Sequence, residues 1–476
     1  MLPRKEGTLK VCVLNGSPKG SDSVTLQYVR FLELAFPAHT FMVVDVAAQI
    51  GAIESREDEF KKVMTSVSSA DAVLFATPVY YMLVPAQFKR FIELVVTRNG
   101  REDFFGKYAA SLTTSIHFFD HTANEYLHAV AEDLGMHWTG SFMAKMDDLV
   151  KEENQESLIR FGEDFLATAQ GHPPLQRVYP PLPATSFNYA SAGIPLPLDT
   201  RGKSVLIISD AAPGSNLEKM VSRMASCFGR NASIVPVSET GMKGGCLGCC
   251  RCAFDNQCVY TDGFSEFWKT QVAPADIIVF AGTVKDRYLS SEFKQVLDRS
   301  FFTGHVPSLK GKQVACLVQG PLFSCTTLRE VMTAYITVQG ANPAGMVSDE
   351  DANSYAIDLR IDALAARLLR LAESGYIAPG GFPAVAGWKV FRDEIWGEMR
   401  AVFRADDAYY RKHGVYDFPQ HDYGQRLRTG VLSLLLSVPN IREQAKKEMK
   451  KHMLEPFGPV FSSSEVLKRR QKKTGP

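Results

Sequence analysis

The chain has 476 residues, and its 53 Lys+Arg nearly balance its 52 Asp+Glu. That argues against a protein built to coat nucleic acid or an anionic membrane. At about 150 residues per domain the length corresponds to about three units, and 45% hydrophobic with 11% aromatic residues excludes disorder over most of it. Residues 1–8 carry charges but no apolar run, and the apolar stretch Val431–Val438 is far shorter than the ~20 residues that span a bilayer. The expectation is a cytoplasmic protein without a membrane span.

The first strand is expected over Leu9–Leu14, a β-branched apolar run that enters Asn15-Gly16-Ser17-Pro18-Lys19-Gly20 and then a helix near Val24. Backbone N–H groups at a helix N-terminus favour an anion. Ser17, Ser21, Ser23 and Thr25 add hydroxyls there and Lys19 adds charge, which together suit a phosphate monoester. The loop lacks both the Gly-Lys-Ser/Thr ending of a triphosphate loop and the three-glycine dinucleotide pattern. The plainer alternative is a strand-to-helix turn with serine caps. A second strand is expected over Phe41–Val46 and a third over Ala72–Ala76, followed by Thr77-Pro78-Val79-Tyr80-Tyr81 and a helix that includes Gln87–Ile92. Ligands of open parallel sheets bind outside the C-terminal strand ends, where the strand order switches. Phosphate donors on the first loop thus meet two tyrosines on the third, and an aromatic wall beside a phosphate pocket is what flavin mononucleotide requires. The strand Tyr108–Leu112 leads into Thr113-Thr114-Ser115. His117 and His121 follow as candidate proton donors, with an exposed or capping role as the alternative. Tyr80 and Tyr81 are candidates for stacking or for proton donation.

Gly16-Ser-Pro-Lys19, Ser21-Asp22-Ser23, Thr77-Pro-Val-Tyr-Tyr81 and Ala86-Gln-Phe-Lys-Arg-Phe-Ile-Glu93 resemble the motifs of the flavodoxin-like NAD(P)H-dependent FMN reductase family. The resemblance implies that Ser17, Lys19, Ser21 and Ser23 hold the FMN phosphate. It implies that Pro78, Val79, Tyr80 and Tyr81 line the flavin ring, and that Thr113, Thr114 and Ser115 approach the ring's other edge. Asp22 stands where the family usually has Asn, and a carboxylate beside a phosphate is unfavourable unless it faces away.

His172-Pro-Pro-Leu-Gln-Arg-Val-Tyr-Pro-Pro-Leu-Pro183 is an extended, semi-rigid linker by its prolines. Beyond it the pattern repeats. Lys203–Ile208 is a second copy of the first strand, running into Ser209-Asp-Ala-Ala-Pro-Gly-Ser-Asn216. Val79 aligns with Val284 and Lys89 with Lys294, both at an offset of 205 residues. The expected architecture is α/β, with two tandem flavodoxin-like doubly wound parallel sheets and a mainly helical C-terminal extension. Its parts are an FMN-binding domain over 1–170, the linker over 171–200, a degenerate copy over 201–375 and the extension over 376–476. Helical periodicity marks Glu394–Tyr410 and Asn440–Leu454 within that extension. In the second copy Asp210 and Ala211-Ala212 are aligned with Ser17, Pro18 and Lys19, the wrong charge for phosphate, and Gly282-Thr-Val-Lys-Asp286 replaces the tyrosine wall.

Cys246-Leu-Gly-Cys249-Cys250-Arg-Cys252 and Cys258 read C-x2-C-x2-C-x5-C. Four thiolates on a tight loop with Gly244, Gly245 and Gly248 suit a 4Fe–4S cluster. Zinc more often takes two separated C-x2-C pairs, and a thiol-rich loop without metal is the third possibility. The spacing is similar to that of the iron–sulfur flavoproteins, which implies Cys246, Cys249, Cys252 and Cys258 as ligands and leaves Cys250 over. The expected activity is FMN-dependent reduction of a small organic acceptor, with electrons relayed through the cluster, from ferredoxin for instance, or drawn from NAD(P)H. An electron carrier without its own substrate, and a simple NAD(P)H-dependent FMN or quinone reductase with a structural cysteine loop, are the alternatives. The repeat suggests an internal pseudo-dimer, with a homodimer of whole chains as a further option.

Overall fold

The computed structural model describes residues 7–183, 186–304, 306–417 and 423–474. It divides into two compact units. The first comprises residues 1–181, the segment Cys246–Cys249 and Glu443–Pro476; the second comprises Leu182–Gly245 and Cys250–Arg442.

In the first unit the strands are β1 (Lys10–Asn15), β2 (Thr40–Asp45), β3 (Ala72–Pro78), β4 (Tyr108–Ser115) and β5 (His137–Lys145). They form one parallel sheet in the order β2-β1-β3-β4-β5. β1 and β3 are buried almost throughout, as expected for a sheet covered on both faces. The covering helices are α1 (Val24–Ala35), α2 (Ile50–Ser55), α3 (Glu57–Ser68), α4 (Ala86–Thr97), α5 (Asp120–Asp133) and α6 (Glu152–Gly171). The order reverses between β1 and β3, so a crevice opens at their C-terminal ends.

The second unit repeats this plan. Its strands β6 (Val205–Ser209), β7 (Ala232–Pro236), β8 (Ile277–Lys285), β10 (Gln313–Gln319) and β11 (Asn342–Ser348) lie in the order β11-β10-β8-β6-β7, and the short β9 (Tyr288–Leu289) pairs back onto β8. Around them lie α7 (Asn216–Phe228), α8 (Phe264–Phe267), α9 (Ser291–Arg299), α10 (Thr326–Val338) and α11 (Ser354–Ser374). α11 stops at Gly375, whose φ of 63° is the left-handed conformation that ends helices.

Among the described residues after Gly375 every regular element is helical: α12 (Phe382–Trp396), α13 (Arg404–Lys412), α14 (Tyr423–Leu435), α15 (Pro439–Leu454), α16 (Gly458–Ser463) and α17 (Glu465–Thr474), with short 3-10 turns between them. The continuous periodicity read over Glu394–Tyr410 is broken at Gly397, where the chain leaves α12 before α13 begins. Among the described residues no helix is long and apolar enough to cross a membrane. The linker is pinned at each end. Glu132 accepts the amides of Val178 and Tyr179 at 2.8 and 2.7 Å in the first unit, while in the second Asp358 accepts the Tyr189 hydroxyl and the Ala192 amide.

Candidate active site

Three loops meet at the C-terminal edge of the first sheet. Gly16 donates its amide to Ala76 O at 2.8 Å, and Thr77 Oγ1 donates back to Gly16 O at 3.3 Å, tying the β1 loop to the end of β3. The Val79 amide donates to Thr114 O at 3.1 Å, tying the third loop to the fourth. Thr25 at the start of α1 and Thr114 share a hydroxyl hydrogen bond of 2.6 Å. A Cβ on Gly16 would overlap the Phe88 ring and Thr77 Oγ1, so only glycine lets the strands approach this closely.

The β1 loop is folded by Asn15, which the motif reading did not single out. Its side chain accepts from the Ser17 amide at 3.1 Å and donates to Gly20 O at 3.2 Å and Asp45 Oδ1 at 2.6 Å. Ser17, Ser23 and Thr25 are buried, whereas Lys19 is half-buried and Ser21 and Asp22 are exposed. Ser23 is the N-cap of α1, yet its side chain makes no capping hydrogen bond. A helix start flanked by buried hydroxyls and left without a side-chain cap is a fit for an anion.

The tyrosine wall is a two-residue hairpin. Tyr80 and Leu83 exchange backbone hydrogen bonds of 2.8 and 3.2 Å, with Tyr81 and Met82 between them at φ 41° and 65°. Positive φ at both central residues is the type I′ geometry, which glycine or asparagine normally fills. Two bulky residues held there mark a position at which side-chain identity outweighs backbone ease. The Thr122 hydroxyl donates to Met82 O and fastens the turn. Pro78, Val79, Tyr80 and Tyr81 are all half-buried at this rim.

Beyond Thr113 and Thr114, both buried, Ser115 begins the fourth loop. The His117 amide donates to Ser115 Oγ at 2.8 Å, and His117 Nδ1 lies 2.7 Å from Asp120 Oδ2. The hydrogen bond that His117 donates to Asp120 holds the imidazole above its ordinary pKa despite partial burial. Burial pushes the Asp120 carboxyl up, but the bond to His117 prevails and carries it below its ordinary value. The pair is therefore biased toward an imidazolium beside a carboxylate. Asp120 is the second residue absent from the sequence reading; its place three residues after His117, at a helix start, is the signal that was available.

In the second unit the equivalent loop is closed by its own groups. Asp210 donates its amide to Ala281 O, as Gly16 does to Ala76 O, so Asp210 is the counterpart of Gly16 and not of Ser17. Its carboxylate accepts from the Thr283 amide at 2.8 Å and from the Ser290 hydroxyl. Burial raises the Asp210 carboxyl against these hydrogen bonds. The helix start is also capped: Ser215 Oγ accepts the Glu218 amide at 3.2 Å, Glu218 accepts the Gly214 amide at 2.6 Å, and Gln319 accepts the Leu217 amide at 2.9 Å. This capping box consumes the donors that a phosphate would need.

The cysteines of the C-x2-C-x2-C-x5-C loop are each half-buried. Cys246 and Cys249 belong to the first unit, and Cys252 and Cys258 to the second. In the first unit Gln87 Nε2 donates to Cys246 O at 3.0 Å, and the Gly248 amide points at Cys246 Sγ at 3.4 Å. Gly248, at φ 61°, packs so closely on the Tyr80 hydroxyl that a Cβ there would overlap it. In the second unit Arg299 pairs with Asp262 at 2.8 Å, lies over the Tyr260 ring and interacts with the Cys258 thiol. The soft thiols suit iron–sulfur by chemistry and spacing. Among the described residues, however, no group of three or more His, Cys, Asp or Glu is gathered to hold one metal ion.

The first sheet unit is thus a doubly wound, flavodoxin-like α/β domain with a crevice at its switch point. Residues 9–147 match the family model of the NADPH-dependent FMN reductases. They form a flavodoxin-like FMN reductase domain, the fold unit of an FMN-dependent oxidoreductase. Among solved structures, the flavoenzyme NAD(P)H:(acceptor) oxidoreductase FerB of Paracoccus denitrificans is 20% identical, over 35% of this chain and 99% of its own, with a TM-score of 0.28. A flavodoxin, WrbA-like protein of Agrobacterium tumefaciens is 19% identical over 35% of this chain and 100% of its own, with a TM-score of 0.26. No curated protein matches the sequence significantly.

Proposed function

We propose that the protein is an NAD(P)H-linked oxidoreductase that reduces a small organic acceptor at one FMN bound in the first unit. The observation that carries this reading is the helix start of α1, without a side-chain cap, among the buried hydroxyls of Ser17, Ser23 and Thr25 and beside the strained Tyr81-Met82 turn. In this reading the α1 amides and these hydroxyls hold the phosphate, with Ser21 at the loop's rim and Lys19 supplying charge. Pro78, Val79, Tyr80 and Tyr81 exclude water from one side of the ring, and Thr113, Thr114 and Ser115 border another edge. FMN supplies the hydride-accepting ring and the passage between two- and one-electron steps. His117, its Nδ1 engaged by Asp120, holds a proton that Nε2 can pass to the reduced acceptor. Tyr80 and Tyr81 are walls before they are proton donors.

The finer reading adds a 4Fe–4S cluster on Cys246, Cys249, Cys252 and Cys258, fed by a donor protein such as ferredoxin. It rests on the ligand spacing alone, and no step above passes through it. Flavin, iron and sulfide content per chain after purification without air tests both readings. One FMN per chain with little iron supports the reductase with a structural cysteine loop. One FMN with about four iron and four sulfide adds the relay. Absence of flavin overturns the proposal.

A further inference from the structure

The C-terminal segment from Glu443 onward is a built part of the first unit. Phe457, Val460, Val466 and Leu467 are buried in the core formed by the sheet, α1 and α6. Ser464 Oγ donates to Gln155 Oε1 at 2.7 Å, and Arg470 donates to Ala35 O at 2.7 Å while lying 4.2 Å from the Phe36 ring. These contacts grip α1, the helix whose N-terminus ends the phosphate loop. The preceding helix reaches the loop itself. In α15, Lys450 Nζ lies 3.4 Å from Asp22 Oδ2, and Met453 Sδ lies 3.5 Å from Lys19 Nζ. Asp22 is the one carboxylate between Gly16 and Ser23.

We propose that α15 is the outer wall of the phosphate site and that Lys450 determines its charge by pairing with Asp22. This inference rests on the FMN reading. An uncompensated carboxylate within the loop repels a phosphate monoester; paired with an ammonium it no longer does. Both partners are about half exposed, so the pair adds little to folding, and the buried apolar contacts already fix the segment. Its consequence is therefore electrostatic and local to the loop. Met453 gives Lys19 an apolar shelf. A thioether is a weak acceptor, so the ammonium keeps its donors for a phosphate oxygen.

The test is a double-mutant cycle on the full chain stripped of flavin. FMN and riboflavin, which lacks the phosphate, are titrated by fluorescence quenching at low salt against wild type, Lys450→Met, Asp22→Asn and the double variant. Lys450→Met is expected to weaken FMN about fivefold, the scale of one exposed charge several Å away. In the Asp22→Asn background the same change is expected to alter FMN less than about twofold, with riboflavin indifferent throughout. An equal loss in both backgrounds, an equal loss for riboflavin, or no loss overturns the inference while wild-type FMN binding leaves the reading beneath it standing. A wild-type chain that binds neither flavin overturns both.

Discussion

In both sheet units the third strand in chain order, β3 or β8, ends in a loop closed by a two-residue turn with positive φ. Tyr81 and Met82 occupy it in the first unit, Asp286 and Arg287 in the second. The helix after it carries a buried Lys–carboxylate pair one turn apart, Lys89–Glu93 in one unit and Lys294–Asp298 in the other. Backbone plan and buried charge thus survive in both copies. What differs is the start of the first helix. The α1 start has no side-chain cap and is flanked by hydroxyls, whereas that of α7 is filled by Ser215, Glu218 and Gln319, with the Asp210 carboxylate in the loop before it. A fold can be kept by its core while a ligand site is lost through three or four polar side chains, because the anion site consists of backbone donors that any nearby acceptor can consume.

The strongest way to break this comparison is to attack what the copies share. Lys294→Met should destabilise the chain by about 3–5 kcal/mol, the cost of removing one partner of a buried ion pair. Lys89→Met should cost less, because Glu93 also pairs with Arg90 at 3.1 Å, and Gln295 stands at the matching place in the second unit. Denaturant unfolding followed by far-UV circular dichroism checks both; an inexpensive Lys294→Met would mean that the shared pair is not structural. Next in size is the transplant Gly16→Asp, which puts the second unit's carboxylate into the first. It should lower FMN affinity at least about a hundredfold, or about 2.7 kcal/mol, since it adds both an anion and a Cβ against Phe88 and Thr77. Flavin content per folded chain is the readout. Retained flavin would show that the loop is not where the phosphate binds.

The strands and the repeat are legible because they are periodic and apolar, and the same 205-residue offset relates Ala76, which stands beside Asn15, to Ala281, which stands beside Ser209. The loops are less so. Alignment by sequence places Asp210 one residue off, because a polar loop has no period and only the amide bond to Ala281 O sets its register. Asn15 and Asp120 are not legible in the motifs because each acts through hydrogen bonds to a neighbour, and a motif records only the neighbour. Asp22 was visible as a charge of the wrong sign, but its partner lies 428 residues away. The cysteine spacing was legible too, but spacing says nothing of where each thiol points, and convergence is a property of side-chain direction.

A smaller effect sharpens the comparison at the rim. His117→Gln should slow acceptor reduction about tenfold, below the usual range for a general acid because water reaches this half-exposed imidazole. The raised His117 pKa fixes the sign. The proton-donating form, and the pair's small contribution to stability, are complete below the ordinary histidine value of about 6.5 and disappear as pH rises through the raised value. Wild-type turnover should therefore fall on the alkaline side, and His117→Gln should remove that limb. Asp120→Asn should move the limb to lower pH without removing it. A limb unchanged in His117→Gln would assign the proton elsewhere.

The smallest effect belongs to the second unit. Asp210→Asn keeps an acceptor for the Thr283 amide and removes the ionisable proton, so at acid pH it should cost no more than the about 0.5–1.5 kcal/mol of one hydrogen bond. The Asp210 carboxyl is raised by burial in the folded chain. Its protonated form is thus favoured by folding, and wild type loses stability as pH climbs from the ordinary aspartate value of about 3.9 through the raised one. The asparagine variant does not share that loss, so its stability relative to wild type should improve over that interval and flatten above it. FMN content should not change, because the Ser215–Glu218 cap still occupies the helix start. A second FMN per chain in Asp210→Asn would mean that one carboxylate alone had closed the site, and that the capping box yields to phosphate when that charge is gone.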